Sequence, residues 1–481
     1  MKNNSEGSRF VKLARLCGLA SALLMAAWLL PPALHSYRRL CPVRPDGVPE
    51  AGAVPSFARQ TGFSCAMCHT NFPELTPMGR RFKLNGYTLT TKPADVSDYS
   101  VTTDTAAAVR NLVLSYVSPL SMDVQIAYTK YNRALPDPTS ATGAQSQGDQ
   151  FQFPEQVSLY YAGRVTDNIG TWLQLTYAGQ SGTLGIDNNE LRYANHSDDR
   201  KWVYGTYVNN TPGMSDVYNS QLSAFGIPLF NTGSLNNLGG GTGGGLRGPI
   251  FGNMGTNSVG GGEYVFFDDS FYAELSGYHS GPQSGGVVNG TQLNAAGALG
   301  SIDGVAPRVR LAYEKDWEKS SLEVGVLGMQ TNYLPGGLTT GAGLGNIVNP
   351  VTAQSPTVDN KYTDGGVDWQ YQYIGDDNIV SFIGSVIHER QSNNSALVAP
   401  LNGGTGAYSN SIDYLNQTSL TGEYYYRRHY GGIVNWVNTT GTKDAAMNGA
   451  DGSPDNQYWT FELDYFPWLN TKFILQYDVY T

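Results

Sequence analysis

The sequence predicts a mainly β fold, an antiparallel barrel of the outer-membrane type with about 16 strands, 18 being the alternative count. Three observations lead there. From about residue 107 onward side chains alternate between apolar and polar. Short connections alternate with long Gly-, Ser- and Asn-rich ones. The chain of 481 residues also contains 58 Gly and 31 Tyr while only 15% is charged. Such a mixture is poor in helix formers and rich in strand, turn and interface residues. The mean hydropathy of −0.30 is far too polar for a bundle of membrane helices.

The first segment has the pattern of a secretory leader. Lys2, Arg9, Lys12 and Arg15 precede an apolar stretch from Leu16 to Leu30, shorter than the roughly 20 residues of a spanning helix. Ala51-Gly52-Ala53 supplies a cleavage site, so residues 1–53 are expected to leave and 54–92 to begin the mature chain. An uncleaved anchor helix is the alternative. Cleavage removes Cys17 and Cys41 and leaves Cys65 and Cys68 as the only cysteines. A disulfide framework is therefore excluded despite export.

Three chemistries compete for that pair. A thioredoxin-type redox pair needs a βαβ context, which is missing. A zinc site needs two more ligands nearby, and no second cysteine pair or close histidine pair follows. The adjacent His69 completes Cys65-Ala66-Met67-Cys68-His69, the C-x-x-C-H pattern in which two thiols form thioethers to one haem c and the imidazole ligates iron. Met78 is a candidate sixth ligand, with packing against the haem edge as the alternative. Met122, Met214, Met254 and His196 could reach the iron only from the barrel, and spacing does not rank them. Arg80, Arg81 and Lys83 could contact the propionates or form a solvated basic face.

The strands follow. Trp172-Leu173-Gln174-Leu175-Thr176-Tyr177 and Arg308-Val309-Arg310-Leu311-Ala312-Tyr313-Glu314 alternate large apolar with polar or charged residues. Leu322, Val324 and Val326 oppose Glu323 and Gly325, and Phe473, Leu475, Tyr477 and Val479 repeat the pattern. A wall between lipid and a wet lumen requires this alternation. Trp317, Tyr424 to Tyr426, and Phe466-Pro467-Trp468 fall at strand ends, as interfacial girdles do. Short links are expected at 118–121, 166–168, 198–200, 268–269, 316–319, 375–378, 428–431 and 467–470. Long outer loops are expected at 133–150, 209–260, 279–304, 331–360, 391–415 and 438–456, with 179–185 a shorter one. The glycine cluster 239–262 lacks Gly-Lys-Ser/Thr and a strand–helix setting, so it reads as loop rather than a phosphate site; no nucleic-acid partner is implied.

Strand direction then makes a first strand near 107–116 run inward and the last, near 470–480, run outward. A closing C-terminal strand is therefore expected to be missing from 93–481, since an unpaired edge in lipid is intolerable. Either 84–91 adds a strand or 54–92 threads the lumen. Charge favours the second: 54–92 contains five basic residues against Glu74 alone, while the barrel portion carries −18. A basic plug inside an acidic wall is complementary, although acidity could equally keep outer loops soluble.

The run Val54-Pro55-Ser56-Phe57-Ala58-Arg59-Gln60-Thr61-Gly62, the haem motif, Asn71-Phe72-Pro73-Glu74-Leu75-Thr76-Pro77 and Gly79-Arg80-Arg81-Phe82-Lys83-Leu84-Asn85-Gly86-Tyr87-Thr88 together resemble the fused outer-membrane cytochrome–porins. The likeness is greatest to the branch found in Fe(II)-oxidising bacteria. It covers about 35 residues closely. In that family the position of Met78 more often carries Phe, which weakens a general ligand role there. The resemblance implies oxidation of extracellular Fe(II) in the outer membrane, with electrons passing through one haem to a periplasmic soluble cytochrome or cupredoxin. A haem held near mid-barrel would bridge the two sides. Glu314, Glu323, Glu423 and Asp464 are candidate Fe²⁺ contacts in the lumen. Two other readings stay open: a conduit for sulfur species or a mineral, and a solute porin whose haem is a plug or sensor.

Overall fold

A computed structural model describes residues 55–61, 63–88, 119–130, 149–179, 182–220, 249–253, 258–280, 293–295, 298–334, 359–395, 398, 408–448, 451–468 and 470–480. The expected leader, the strand near 107–116 and the glycine-rich stretch 221–248 lie outside these residues.

The first described elements are three short helices, α1 (Pro55–Thr61), α2 (Cys65–Cys68) and α3 (Pro77–Leu84). Thr76 caps α3 by accepting from the Gly79 amide, with Pro77 at the first helical position, the arrangement that satisfies orphan amides at a helix start. Residues 85–87 turn away with Gly86 and Tyr87 at positive φ, so the expected extra strand at 84–91 does not begin there.

Among the described residues that follow, 18 strands form one antiparallel sheet: β1 (Leu120–Lys130), β2 (Asp149–Arg164), β3 (Ile169–Ala178), β4 (Thr183–Ile186), β5 (Glu190–His196), β6 (Trp202–Asn209), β7 (Ser258–Phe267), β8 (Phe271–Ser280), β9 (Leu293–Ala295), β10 (Ala298–Asp303), β11 (Ala306–Asp316), β12 (Ser320–Leu334), β13 (Asn360–Ile374), β14 (Asn378–Ser392), β15 (Ile412–Tyr426), β16 (Tyr430–Gly441), β17 (Asn456–Trp468) and β18 (Thr471–Tyr480). β4 and β5 both pair with β3, and β10 and β11 both pair with β12, so each couple forms one interrupted wall strand. The break between β10 and β11 falls at Gly304, whose φ is +67°.

Alternation sorts the two faces as the sequence requires. On β11 Val309, Leu311 and Tyr313 are exposed, while Arg308, Arg310 and Glu314 are buried. Leu322, Val324 and Val326 on β12 and Phe473, Leu475 and Tyr477 on β18 are likewise exposed, and Glu323, Glu423, Glu462 and Asp464 are buried. An apolar outer face over a polar inner one makes sense only with lipid outside. Short turns close one end. Asp268 and Asp269 have φ of 50° and 53°, and Arg427 and Arg428 have 49° and 57°, the left-handed pairs that suit tight antiparallel hairpins.

The residues 55–88 lie inside the sheet and touch it all round. Arg59 bonds the Leu120 carbonyl of β1, and Gln60 Nε2 bonds that of Ala162 on β2 at 2.9 Å. Tyr87 donates to Glu190 of β5 at 2.7 Å, and Tyr264 of β7 donates to the Leu84 carbonyl at 2.6 Å. Arg80 pairs with Glu314 of β11 at 2.8 Å, and Lys472 of β18 reaches Asn71 at 3.3 Å. A wall whose first and last described strands both contact one short segment is curled around it. The contacts gather in the half of the barrel that ends in short turns: Arg81 meets Asp269 and Asp316, and Arg428 meets the Ala66 carbonyl. This places the plug nearer the short turns than the mid-barrel position expected, because Arg80 and Arg81 pair with carboxylates at those strand ends.

One expected outer loop is also corrected. Of 209–260, two pieces fold into the lumen as α4 (Pro212–Ser215) and α5 (Ile250–Asn253). Ile250 and Phe251 donate their amides to the buried Glu389 and Asp364 at 2.6 and 2.7 Å.

Close approach of plug and wall depends on Gly170 of β3, where a Cβ would lie 2.1 Å from the Gly86 carbonyl oxygen. Both atoms belong to backbone, so the clash has no soft side. Gly170→Ala is expected to favour opening of the plug by about 1–3 kcal/mol, roughly 5- to 150-fold. The readout is faster hydrogen exchange over 76–87 with exchange in β12–β14 unchanged; equal exchange in parent and variant would show that the contact does not hold the plug.

Candidate functional site: the cavity around Cys65, Cys68 and His69

The cysteine motif forms a single turn. Cys65 and Cys68 stand three apart on α2, which puts them on one face, and the His69 amide closes the turn on the Cys65 carbonyl at 2.8 Å. The following chain folds back over it. Thr76 donates its amide to the Cys68 carbonyl at 2.9 Å and its hydroxyl to the Met67 carbonyl. Gly79 lets α3 lie directly on this turn, since a Cβ there would meet the Cys68 oxygen at 2.2 Å.

His69 Nδ1 is 3.1 Å from the Glu74 carbonyl oxygen. A carbonyl can only accept, so Nδ1 carries the proton and Nε2 keeps its lone pair. Burial, opposed by that hydrogen bond, lowers the imidazole to about 4, which leaves it neutral. Burial also raises the Cys68 thiol to about 11, with Cys65 adding to the rise.

These three residues line one cavity of about 120 Å³. Its apolar wall joins both parts of the chain. Phe57, Phe82 and Tyr87 of the plug pack with Trp172 of β3, with Phe57 5.0 Å from Phe82, 5.4 Å from Tyr87 and 5.9 Å from Trp172 between ring centroids. Phe72 sets its ring edge against His69 at 5.4 Å. The inward loop adds Met214, Asp216 and Asn219. Asn219 grips the motif like a strand partner: it accepts the Leu75 amide at 2.9 Å and donates to the Leu75 carbonyl at 3.1 Å.

Two thiols on one face, an oriented neutral imidazole and an aromatic wall are the donor set and cradle that a covalently attached haem requires. Among the described residues, no group of three or more His, Cys, Asp or Glu could hold a metal ion directly.

The other sequence candidates separate. Met78 is half-buried on α3 and does not line the cavity. Arg80 is directed into the wall: its Nε and Nη2 meet Glu314, Nη2 also Ser321 at 2.9 Å, and Nη1 meets Gln370, Gln372 and the Leu75 carbonyl. Every N–H of that guanidinium has a protein acceptor, and Arg80 does not line the cavity. Arg81 pairs with Asp316 at 2.6 Å and Asp269 at 3.3 Å, also away from the cavity. Of the three basic candidates only Lys83 lines the cavity; burial lowers its ammonium to about 8, and Nζ donates to the Asp216 carbonyl at 3.0 Å. Glu314, Glu323, Glu423 and Asp464 do face the lumen, but Glu314 is held by Arg80, Glu323 lies 3.5 Å from Arg310, Glu423 abuts Glu74, and Asp464 is bound by Lys472 and Tyr425. Glu314, Glu323 and Asp464 thus belong to ion pairs of the wall, whereas Glu423 faces the carboxyl of Glu74. Trp172 and Asn219 were not singled out as site residues by sequence reasoning, and Met214 was one of four barrel candidates that spacing did not rank; Thr211-Pro212, a helix-start pair, is the one local sign that part of 209–260 is built.

No protein-family model matches the chain, and no curated protein matches it. Among solved structures it is similar to the trimeric form of the outer-membrane protein OmpT of Vibrio cholerae, at 12% identity over 75% of this chain and 88% of that one, with a TM-score of 0.40. The outer-membrane channel DcaP of Acinetobacter baumannii gives 11% over 75% and 91%, with a TM-score of 0.40. OmpF of Salmonella typhi gives 10% over 75% and 89%, with 0.37. The likeness is confined to β-barrel architecture. The apolar outer face and continuous antiparallel ladder are those of an outer-membrane β-barrel, independently of these neighbours.

Arg80→Met leaves Glu314 charged and unpaired in the wall, which costs about 3–5 kcal/mol. The expected result is a plug that exchanges and is cleaved by trypsin far faster than in the parent, largely restored in Arg80→Met/Glu314→Leu. A single variant indistinguishable from the parent would show that this ion pair does not anchor the plug.

Proposed function

We propose that the chain is an outer-membrane c-type cytochrome that oxidises extracellular Fe(II) and passes the electron to a periplasmic soluble cytochrome or cupredoxin. The observation that carries this reading is the joint lining of one lumen cavity by Cys65, Cys68 and the oriented His69. The sequence of residues 54–88 adds the identity of the donor through its resemblance to the Fe(II)-oxidising cytochrome–porins.

Cys65 and Cys68 would hold one haem c covalently, and His69 Nε2 would ligate its iron. When bound, the haem supplies one-electron exchange between Fe²⁺ and the periplasmic acceptor. The chain's own residues do the rest. The barrel takes the site into a hydrocarbon layer of about 30 Å that electrons cannot cross unaided. The plug sits toward the short turns, the periplasmic end by the usual barrel rule, where a soluble acceptor can approach. Phe57, Phe72, Phe82 and Trp172 exclude water from the cavity wall, and Lys83 offers a positive charge to a propionate. The acidic lumen attracts cations electrostatically.

Rapid mixing of the detergent-folded holoprotein with Fe²⁺ tests the proposal: the expected outcome is haem reduction whose rate rises with Fe²⁺ concentration. Haem that stays oxidised at a potential permitting reduction would refute Fe(II) as donor. Proteoliposome uptake of small solutes, equal in the parent and in Cys65→Ala/Cys68→Ala, would favour a porin whose haem is structural.

A further inference from the structure

We infer that Met214, on the inward-folded loop of the barrel, is the second axial ligand of the haem iron. This deepens the reading given under Proposed function and rests on it. Among the described residues Met214 is the one methionine that lines the cavity together with Cys65, Cys68 and His69. Met67 and Met122 are 47% and 63% exposed, and Met329 belongs to a separate cluster with Phe251 and Ile387. Met214 is itself buried and packs with Tyr160, Ala162 and Trp172, against which Phe57 and Phe72 close. Phe72 is also the ring that touches His69. The two would-be ligands therefore belong to one apolar chamber.

The cavity's other charged and amide side chains are engaged elsewhere; Glu74 accepts from Thr70 at 3.1 Å and lies against Glu423. Lys83 Nζ is bonded to the Asp216 carbonyl, the Tyr87 hydroxyl to Glu190, and both amide atoms of Asn219 to the Leu75 backbone. Asp216 accepts from the Tyr218 and Ser220 amides and from Arg310. A thioether forfeits no hydrogen bond in turning to iron, and its unbranched chain adapts readily.

The loop that carries it is clamped on both sides. Pro212 and the Thr211 cap fix the start of α4. Ser215, the next residue after Met214, accepts from Arg308 Nη1 at 3.1 Å, and Asp216 accepts from Arg310 Nη1 at 3.1 Å. Both arginines are at most 1% exposed and rooted in β11. A ligand held on a rigid, wall-anchored turn is what a cytochrome needs for small reorganisation between oxidation states, and histidine–methionine ligation raises the reduction potential. The barrel then contributes to the electronic centre as well as enclosing it.

The test uses the full-length, detergent-folded holoprotein. Near-infrared magnetic circular dichroism of the ferric parent is expected to show the thioether-to-iron charge-transfer band. Met214→Leu should lose it, with haem content by pyridine haemochromogen and heat-modifiable gel mobility unchanged, while Met78→Leu and Lys83→Arg keep it. Met214→His, usable where the leucine variant does not assemble, should lose the band, stay low-spin and shift the potential downward. A parent without the band, or a band that survives either Met214 substitution, overturns the assignment. Absence of covalent haem from the denatured parent would instead refute the haem reading itself.

Discussion

Burying the guanidinium of Arg80 requires a partner for each of its N–H groups, and three neighbouring strands supply them. Glu314 of β11, Ser321 of β12, and Gln370 and Gln372 of β13 converge on it. An unpaired charge in such a place would cost several kcal/mol, so the registers β11–β12 and β12–β13 and the position of α3 are determined together. One residue earlier on the same helix, Gly79 rests on the Cys68 carbonyl. The ion pair in the wall thus fixes the turn of the cysteine motif, and through the Glu74 carbonyl it fixes the tautomer of His69.

The inward loop makes the complementary half. Asn219, at φ +59°, holds the Leu75 backbone from the opposite side, while Arg308 and Arg310 hold the loop to β11. Neighbouring elements of one wall therefore position both the plug and the segment facing it. Tyr218 lies under the guanidinia of both Arg80 and Arg310, at 5.5 and 5.0 Å, and joins the two anchorages through cation–π contacts.

Much of this was legible in the sequence because it depends on period and residue type. Alternation assigned Arg308, Arg310 and Glu314 to one face and Val309, Leu311 and Tyr313 to the other. The Cys-x-x-Cys-His spacing pointed to three residues that the fold brings to one cavity, and the excess of basic residues over 54–92 anticipated a plug in an acidic wall. What escaped was which base meets which acid. Arg80 and Arg81 carry the same charge as Lys83, and only the direction of α3 sends the first two to the wall and the third to the cavity. Parity did contain one further clue: Trp172 shares the face of Gln174 and Thr176, so the rule that puts Leu173 and Leu175 in lipid puts Trp172 in the lumen. Met214 and Asn219 had no such rule, since an inward loop and an outer loop have the same composition until the arginines that bind it are placed.

The plug's position also bears on how electrons could traverse the barrel. A centre at mid-depth would lie about equally far from both faces. A centre among the short turns shortens the step to a periplasmic acceptor and lengthens the step from outside, which a donor must then cover by entering the lumen. The net charge of the barrel portion, −18, gives such entry a favourable field. A small hydrated cation could follow this potential, whereas a solid could not. On the proposed reading, the depth of the plug therefore favours a dissolved donor over a mineral surface, a distinction that the cysteine motif alone does not make.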